Sequence, residues 1–480
     1  METRDVLYIG GEWVAPATSQ TLTVTNPATQ QVVATVPEGT PADMDRAVAA
    51  ARAAFDQGPW PQTSGKERAE VLRALSAGIQ GRMQEFAEVI TSENGAPATF
   101  SLMGQVLAAT MVLDGFAEAT EHFAFVEERQ GMMGPVLVNK APVGVAAGII
   151  PWNVPLFITT MKLGAALASG STMVLKPAPE TPFDSYLLAE VLEEIGLPSG
   201  VVNIVAGSRE AGEHLVRHPG VDKVSFTGST AAGRKVGAIC GEQLKRCTLE
   251  LGGKSAAVIL DDVDLDAAIP ELMPAMMMNN GQACVAQTRV LAPRSRYDEV
   301  VSALADAVGA QKVGDPADPE VEVGPLVAER QRDRVEGYLE AGRKEGARVV
   351  VGGGRPADLD TGWFVEPTVF ADVTNTMTIA REEIFGPVVS VIAYDDEADA
   401  VRIANESEYG LSGSVWTADR DRGINLAKGV RTGTYGVNTG VVIDLHSPFG
   451  GFKASGVGRE LGPEGIEEFT EIQTIVLGGA

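Results

Sequence analysis

Cysteine is nearly absent from this 480-residue chain: Cys240, Cys247 and Cys284 are the three present, an odd number without CxxC spacing. That excludes a disulfide framework and fits a reducing compartment. Histidine is as scarce, with His122, His214, His218 and His446 scattered along the chain, and no HExxH or paired-cysteine zinc pattern occurs. No metal site is expected, and the absence of a GxSxG turn removes the hydrolase elbow. Positive charge is in deficit: 38 Lys+Arg against 64 Asp+Glu leave a net charge of -26. Such a field repels phosphate backbones and anionic lipid, which argues against nucleic-acid and membrane partners. The opening METRDVLYIGGEW has no basic region followed by an apolar run, so no signal peptide is read and a cytoplasmic location is expected.

Long apolar runs are missing too, although Ala141 to Met161 carries no charge over a length that would span a bilayer. Pro142, Pro151 and Pro155 break helical hydrogen bonding there, Gly144 and Gly148 weaken it, and Asn153 needs polar partners, so a buried strand followed by a loop is expected.

What is present reads as an α/β protein. The length exceeds what one core usually serves, which implies two or three domains. Thr40-Pro41-Ala42-Asp43 reads as an N-cap with proline in the first turn, and Met44, Val48, Ala51 and Phe55 follow at helical spacing. Helical pattern fills 66 to 126, breaks at Glu127-Glu128-Arg129 and Gly131 to Gly134, and gives way to a hairpin near 129 to 142. Between 143 and 260 the runs VGVAAGII, STMVLKP, VVNIVAG, VDKVSF, TLELGG and AAVIL alternate with helices, and a second set from about 285 to 440 includes TRVLAP, ARVVVGG, VVSVIAY and SGSVWTA. Such alternation implies parallel sheets with ligand clefts at strand ends. Neither a solenoid repeat nor a low-complexity tract separates the halves.

Three segments can carry chemistry, each with a bland alternative. Cys284, in Asn280-Gly281-Gln282-Ala283-Cys284, sits on a loop after the helix of Met276, Met277 and Met278. It reads as a nucleophile or as a small buried hydrophobe; Cys240 and Cys247 keep the structural reading. Glu250, in Thr248-Leu249-Glu250-Leu251-Gly252-Gly253-Lys254-Ser255, ends an apolar strand. Burial there would lift its pKa toward neutrality and suit a general base; the alternative is an ion-pair partner for Lys254 or Arg246. A P-loop would need glycine at 248, where Thr248 stands. Phe226-Thr227-Gly228-Ser229 joins a strand to a helix and presents backbone N–H groups to any phosphate, or serves ordinary folding.

Together these segments resemble the aldehyde dehydrogenase superfamily over nearly the whole chain. Its motifs appear in order as Pro151-Trp152-Asn153, Lys176-Pro177, Phe226 to Ser229, Glu250 to Gly253, Gly281 to Cys284, Glu383 to Pro387 and Pro448 to Gly451. The resemblance implies an NAD(P)-dependent oxidation of aldehyde to acid. Cys284 would be the nucleophile, with Asn153 and the Cys284 backbone N–H stabilising the oxyanion, and Glu250 the base that activates water; Lys162 and Glu460 would relay its protons. The implied cofactor site comprises Ile149, Pro151, Trp152, Lys176, Pro179, Gly207, Arg209, Phe226, Thr227, Gly228, Ser229, Leu251, Gly252, Glu383 and Phe385. Among them Glu383 and Phe385 would hold the nicotinamide ribose and ring, Lys176 the adenosine ribose, and Ser229 and Trp152 the pyrophosphate and its surroundings.

The implied architecture is a Rossmann-like cofactor domain (1–125 and 143–254), an α/β catalytic domain (255–455) and bridging segments (126–142 and 456–480). The hairpin and a C-terminal strand Glu471 to Leu477 would pair between subunits in a homodimer or homotetramer. Positions matching the family's substrate tunnel are Val154, Phe157, Ile158, Met161, Ala283, Val285 and Ile443, all uncharged, which points to apolar aliphatic, terpenoid or aromatic aldehydes. The sequence departs from the family at Lys176-Pro177-Ala178-Pro179-Glu180: Pro179 holds the place where NAD-preferring members carry glutamate, so NAD is expected with NADP also accepted. Two rivals stand beside this reading: an acylating relative that passes the acyl group to coenzyme A, against which Glu250 speaks, and a silent structural protein of the same fold.

Overall fold

The computed structural model describes residues 3–441 and 443–478. Met1, Glu2, Val442, Gly479 and Ala480, which fall within the segments assigned above, lie outside the described residues.

The helix Pro41–Asp56 starts where its capping signal predicts: the Asp43 carboxylate accepts from the Thr40 backbone N–H at 3.0 Å and from its hydroxyl at 2.8 Å. Proline is tolerated in that first turn because its missing N–H would have no helical partner. Met44, Val48 and Ala51 are buried on the inner face, while Phe55 is partly exposed.

The β-rich runs from 143 to 250 form the parallel core of an eight-stranded sheet, in the order Arg246–Glu250, Lys223–Thr227, Val145–Ile149, Thr172–Lys176, Val202–Ile204. Helices Pro155–Ser169, Phe183–Glu194, Arg209–Arg217 and Thr230–Glu242 make the crossovers. The strand order reverses between Val145–Ile149 and Lys223–Thr227, and ligands of such sheets bind outside the carboxyl ends of the strands at that switch point. Five of the motif residues lie there: Pro151, Trp152 and Asn153 after one strand, Gly228 and Ser229 after the other.

A second, seven-stranded sheet holds Thr368–Ala371, Val388–Tyr394, Arg289–Pro293, Ala256–Ile259 and Gly413–Trp416 as parallel neighbours. A third pairs Val126–Gln130, Pro135–Pro142 and Thr470–Val476 antiparallel.

The uncharged stretch is strand Val145–Ile149, a turn, and then the wholly buried helix Pro155–Ser169, not a membrane span. Ala98–His122 is long and apolar enough to cross a membrane, but 56% of its apolar window is buried inside the fold, and it packs on Gly65–Gly81 and Pro155–Ser169.

Helical pattern to residue 126 overran: the helix ends at His122 and Val126–Gln130 is a strand, its charged residues Glu127, Glu128 and Arg129 facing solvent along a sheet edge. Charge on an edge strand discourages further pairing and does not break the strand. The strands Leu7–Ile9, Glu12–Val14, Thr21–Thr25, Val32–Pro37 and Thr368–Ala371 are not part of the sequence reading; the first four pair as two local hairpins, and each strand is too short to give a distinct periodic pattern.

Candidate active site

Cys284 is placed by a backbone that only certain residues accept. Helix Leu265–Met277 ends in a turn where Asn279 and Asn280 adopt φ of 52° and 62° and Gly281 a φ of 72°. A Cβ on Gly281 would lie 2.2 Å from the Gly386 carbonyl, so the turn requires glycine. Asn280 locks it: its amide donates to the carbonyls of Gly95 at 2.9 Å and Pro325 at 2.8 Å, and its oxygen accepts from the Gly324 N–H at 2.6 Å. Asn279 donates to the Asn153 carbonyl at 2.8 Å, while the Asn153 amide donates to the Gln282 carbonyl at 2.9 Å. Two loops 129 residues apart in sequence are thereby tied together at the thiol.

Glu250 ends its strand 3% exposed and lines the same two cavities as Cys284. Burial and the charge of Glu460 push its carboxyl up to about 8, against Lys162 and the Cys284 contact, which pull it down. Burial, then the charges of Glu250 and Glu383, also push the Cys284 thiol up. Both groups therefore hold their protons at neutral pH, and a new positive charge in the cleft would favour the thiolate. Glu250 serves neither suggested ion pair: Arg246 binds Glu471 at 2.7 Å, and the Lys254 amine has no partner. Behind it Lys162, fully buried, donates to Glu460 at 2.5 Å and to the Ser225 hydroxyl at 3.2 Å. One carboxylate oxygen of Glu250 and one of Glu460 are buried without partners, as a proton path between them through water would require.

Three cavities meet end to end. One of about 250 Å³ is lined by Ile149, Lys176, Arg209, Phe226 and Ser229, together with Gly212, Glu213 and Lys235. The next, about 210 Å³, shares Ser229 and adds Pro151, Trp152, Asn153, Thr227, Gly228, Glu250, Gly252, Cys284, Glu383 and Phe385, with Gln331 and Arg334. The third, about 330 Å³, shares Asn153, Thr227, Glu250 and Cys284 and runs outward between Val154, Phe157, Ile158, Met161, Ala283, Val285 and Ile443. Cys284 stands at the junction of the last two.

Gly207, Pro179 and Leu251 line none of these cavities. The Gly207 carbonyl accepts from the Lys176 amine at 2.7 Å, and Leu251 is buried with its N–H on the Ser455 carbonyl at 2.9 Å. Gln331, Arg334, Lys235 and the outer tunnel wall of Phe100, Gly104, Ala108, Met111, Met278 and Leu445 are not legible in the sequence, since none belongs to a short motif; Phe449 of the Pro448 to Gly451 motif joins that wall.

The first two cavities fit a dinucleotide. Ser229 caps helix Thr230–Glu242, accepting from the Ala232 N–H at 3.3 Å, so a helix N-terminus opens where the two meet. A Cβ on Gly252 would lie 2.6 Å from the Glu383 carboxylate, which accepts from the Gly253 N–H at 3.0 Å. Burial holds the Glu383 carboxyl up at about 7. Phe385 takes a φ of 63° and meets Trp152 edge-on at 5.4 Å, a strained backbone of the kind found at ligand clamps.

A thiol and a buried carboxyl stand where a dinucleotide-sized cleft meets an apolar tunnel, an arrangement suited to an oxidoreductase. The chain belongs to the aldehyde dehydrogenase family, whose model matches residues 13–475. It is 48% identical to geranial dehydrogenase of Castellaniella defragrans, over 98% of both chains. A Mycobacterium tuberculosis aldehyde dehydrogenase complexed with NAD+ superposes with a TM-score of 0.98 at 52% identity, covering 99% of each chain. A Pseudomonas syringae aldehyde dehydrogenase variant, complexed with NAD+ and octanal, gives 0.95 at 40% identity, covering 98% of this chain and 96% of that one. The expected fold, the aldehyde dehydrogenase activity and the use of NAD(P) are thus established for this enzyme.

Proposed function

We propose that the enzyme converts apolar aldehydes to carboxylic acids through a thioester on Cys284, with Glu250 as the base for hydrolysis. The observation that carries this is that Cys284 and the buried Glu250 carboxyl both line the inner end of an apolar tunnel where it meets the cofactor-sized cleft. When the thiol attacks the carbonyl carbon its proton passes to water in the cleft, and the carbonyl oxygen takes the electron pair beside the Asn153 amide and the Cys284 N–H. The bound cofactor supplies the acceptor for the hydride that the tetrahedral adduct expels. Glu250, after giving its own proton to the Glu460 and Lys162 path, takes one from water as the hydroxide opens the thioester, and passes it to the Cys284 sulfur as the acid leaves. A base so placed favours water over coenzyme A as acyl acceptor.

For the cofactor, Glu383 and Phe385 would hold the nicotinamide end, Ser229 and Trp152 the pyrophosphate, and Lys176 the adenosine ribose. Glu180 is paired with Arg330 and does not replace the carboxylate missing at Pro179, and Arg209, Lys176 and Lys235 line the adenosine end against a single carboxylate, Glu213. These features support acceptance of NADP alongside NAD. The two large sheets support the division into cofactor and catalytic domains at about residue 254. Strand Thr470–Val476 leaves one edge unpaired and exposes Ile472 and Val476, which supports pairing with a second copy; a monomer by light scattering would contradict it. The three unbridged cysteines support a cytoplasmic setting.

The tunnel's length and apolar walls favour a long or branched hydrocarbon tail, and its charged side chains, Glu250 and Glu460, are both acidic. A substrate panel tests this. We expect kcat/KM to rise at least about tenfold from propanal to octanal or geranial, since each buried methylene is worth about 1–3 kcal/mol, and an aldehyde bearing a carboxylate to be poor. Equal or better use of a semialdehyde carboxylate would overturn the assignment.

A further inference from the structure

A second buried cluster lies just past the catalytic strand. Lys254 is 2% exposed, and among the described residues its amine has no hydrogen-bond partner; the hydroxyls of Ser255 and Ser412, also buried, have none there either. All three residues line a small cavity with Arg289, Gly410 and Thr432. Its volume for a water-sized occupant is about 10 Å³, at the lower limit for a single small occupant. The Tyr435 hydroxyl, unpartnered as well, lies in the same neighbourhood, close enough to Arg289 to feel its charge.

The charge around this cavity is unbalanced. Arg289 is 2% exposed and spends its guanidinium on neutral oxygens: the Lys254 carbonyl at 2.9 Å, the Asn375 side chain at 3.0 Å, and the carbonyls of Ile403 at 3.0 Å and Ala404 at 3.1 Å. Lys453 likewise binds two carbonyls, of Asn405 at 3.1 Å and Ser407 at 2.7 Å, and feels both Arg289 and Arg431. Glu382, Glu383 and Glu406 act on the cluster only from a distance. Buried charges without a carboxylate partner are costly, and the arrangement is unusual unless something else neutralises them.

We propose that this cavity binds one small monovalent anion, chloride under ordinary salt, held by the Lys254 ammonium and the Ser255 and Ser412 hydroxyls beside Arg289. Every unpartnered group named can donate a hydrogen bond, and the cavity admits a single atom but no oxyanion. Without an occupant, burial and Arg289 push the Lys254 amine down to about 7, against Glu383 and Glu382; the anion keeps it an ammonium.

Bromide is the probe, because it replaces chloride and scatters anomalously. Crystals of the full-length enzyme soaked across a bromide series should show an anomalous peak in the cavity, in hydrogen-bonding contact with the Lys254 amine and already occupied at the lowest concentrations. The peak should vanish in Lys254→Met. A water at this position in saturating bromide would overturn the proposal. So would a peak that appears only at molar bromide, an adventitious ion only, or one that persists in Lys254→Met. If the variant does not fold, the wild-type series alone decides.

Discussion

Glu250 holds a proton at neutral pH because burial and Glu460 outweigh Lys162. The consequence for stability has a definite sign. Its carboxyl is raised from about 4.5 in the unfolded chain to about 8 in the fold, so its contribution is fully present below about pH 4.5 and lost as pH rises toward 8. Glu250→Gln, which stays neutral, should therefore gain stability relative to the parent as pH goes from 5 to 8, with no further gain above about 8. Thermal unfolding of both proteins across that range measures it, and a constant gap would show that Glu250 is ionised throughout.

Cofactor choice also rests on single residues. With Pro179 in place of a carboxylate and Glu180 held by Arg330, nothing acidic on that segment repels a 2'-phosphate. The expected discrimination between NAD and NADP is below about a hundredfold in kcat/KM, roughly 2.7 kcal/mol. Pro179→Glu should shift preference toward NAD. A parent already selective well beyond that bound would contradict the argument.

Among the elements, the turn Ser101–Leu107 is wound as a π-helix inside an otherwise α-helical run, a distortion common at functional sites. It carries Gly104 at the tunnel wall, where a Cβ would lie 2.5 Å from the Phe100 ring. A side chain there must drive that ring into the passage. Gly104→Val should lower kcat/KM for octanal at least about tenfold, or about 1.4 kcal/mol, and leave propanal within about threefold. An equal loss for both aldehydes would point to a damaged fold instead.

That wall shows where the sequence stops being legible. Parallel strands such as Thr172–Lys176 and Val388–Tyr394 could be read because strands buried on both faces appear as continuous apolar runs. Catalytic candidates could be read because Gly-Gln-Ala-Cys and Glu-Leu-Gly-Gly sit in short motifs. Phe100, Gly104 and Met111 could not: they reach the tunnel only through packing against Pro155–Ser169, and locally they are indistinguishable from core helix. The strand Val126–Gln130 was masked by its own charged residues.

At the scale of the molecule, the site exists because segments from both large sheets converge on one place. Glu250 ends a strand of the first, Cys284 precedes strand Arg289–Pro293 of the second, and Glu460 arrives from near the C-terminus. The account's central claim is that these parts divide the reaction, Cys284 forming the acyl bond and Glu250 breaking it. Rapid-quench kinetics of Glu250→Gln, with intact-mass detection, tests that division most directly. The prediction is about one equivalent of reduced cofactor per active site in the first turnover, then a stall with the acyl group accumulated on Cys284. Steady-state turnover equal to the parent's, with no acyl-enzyme detected, would contradict it.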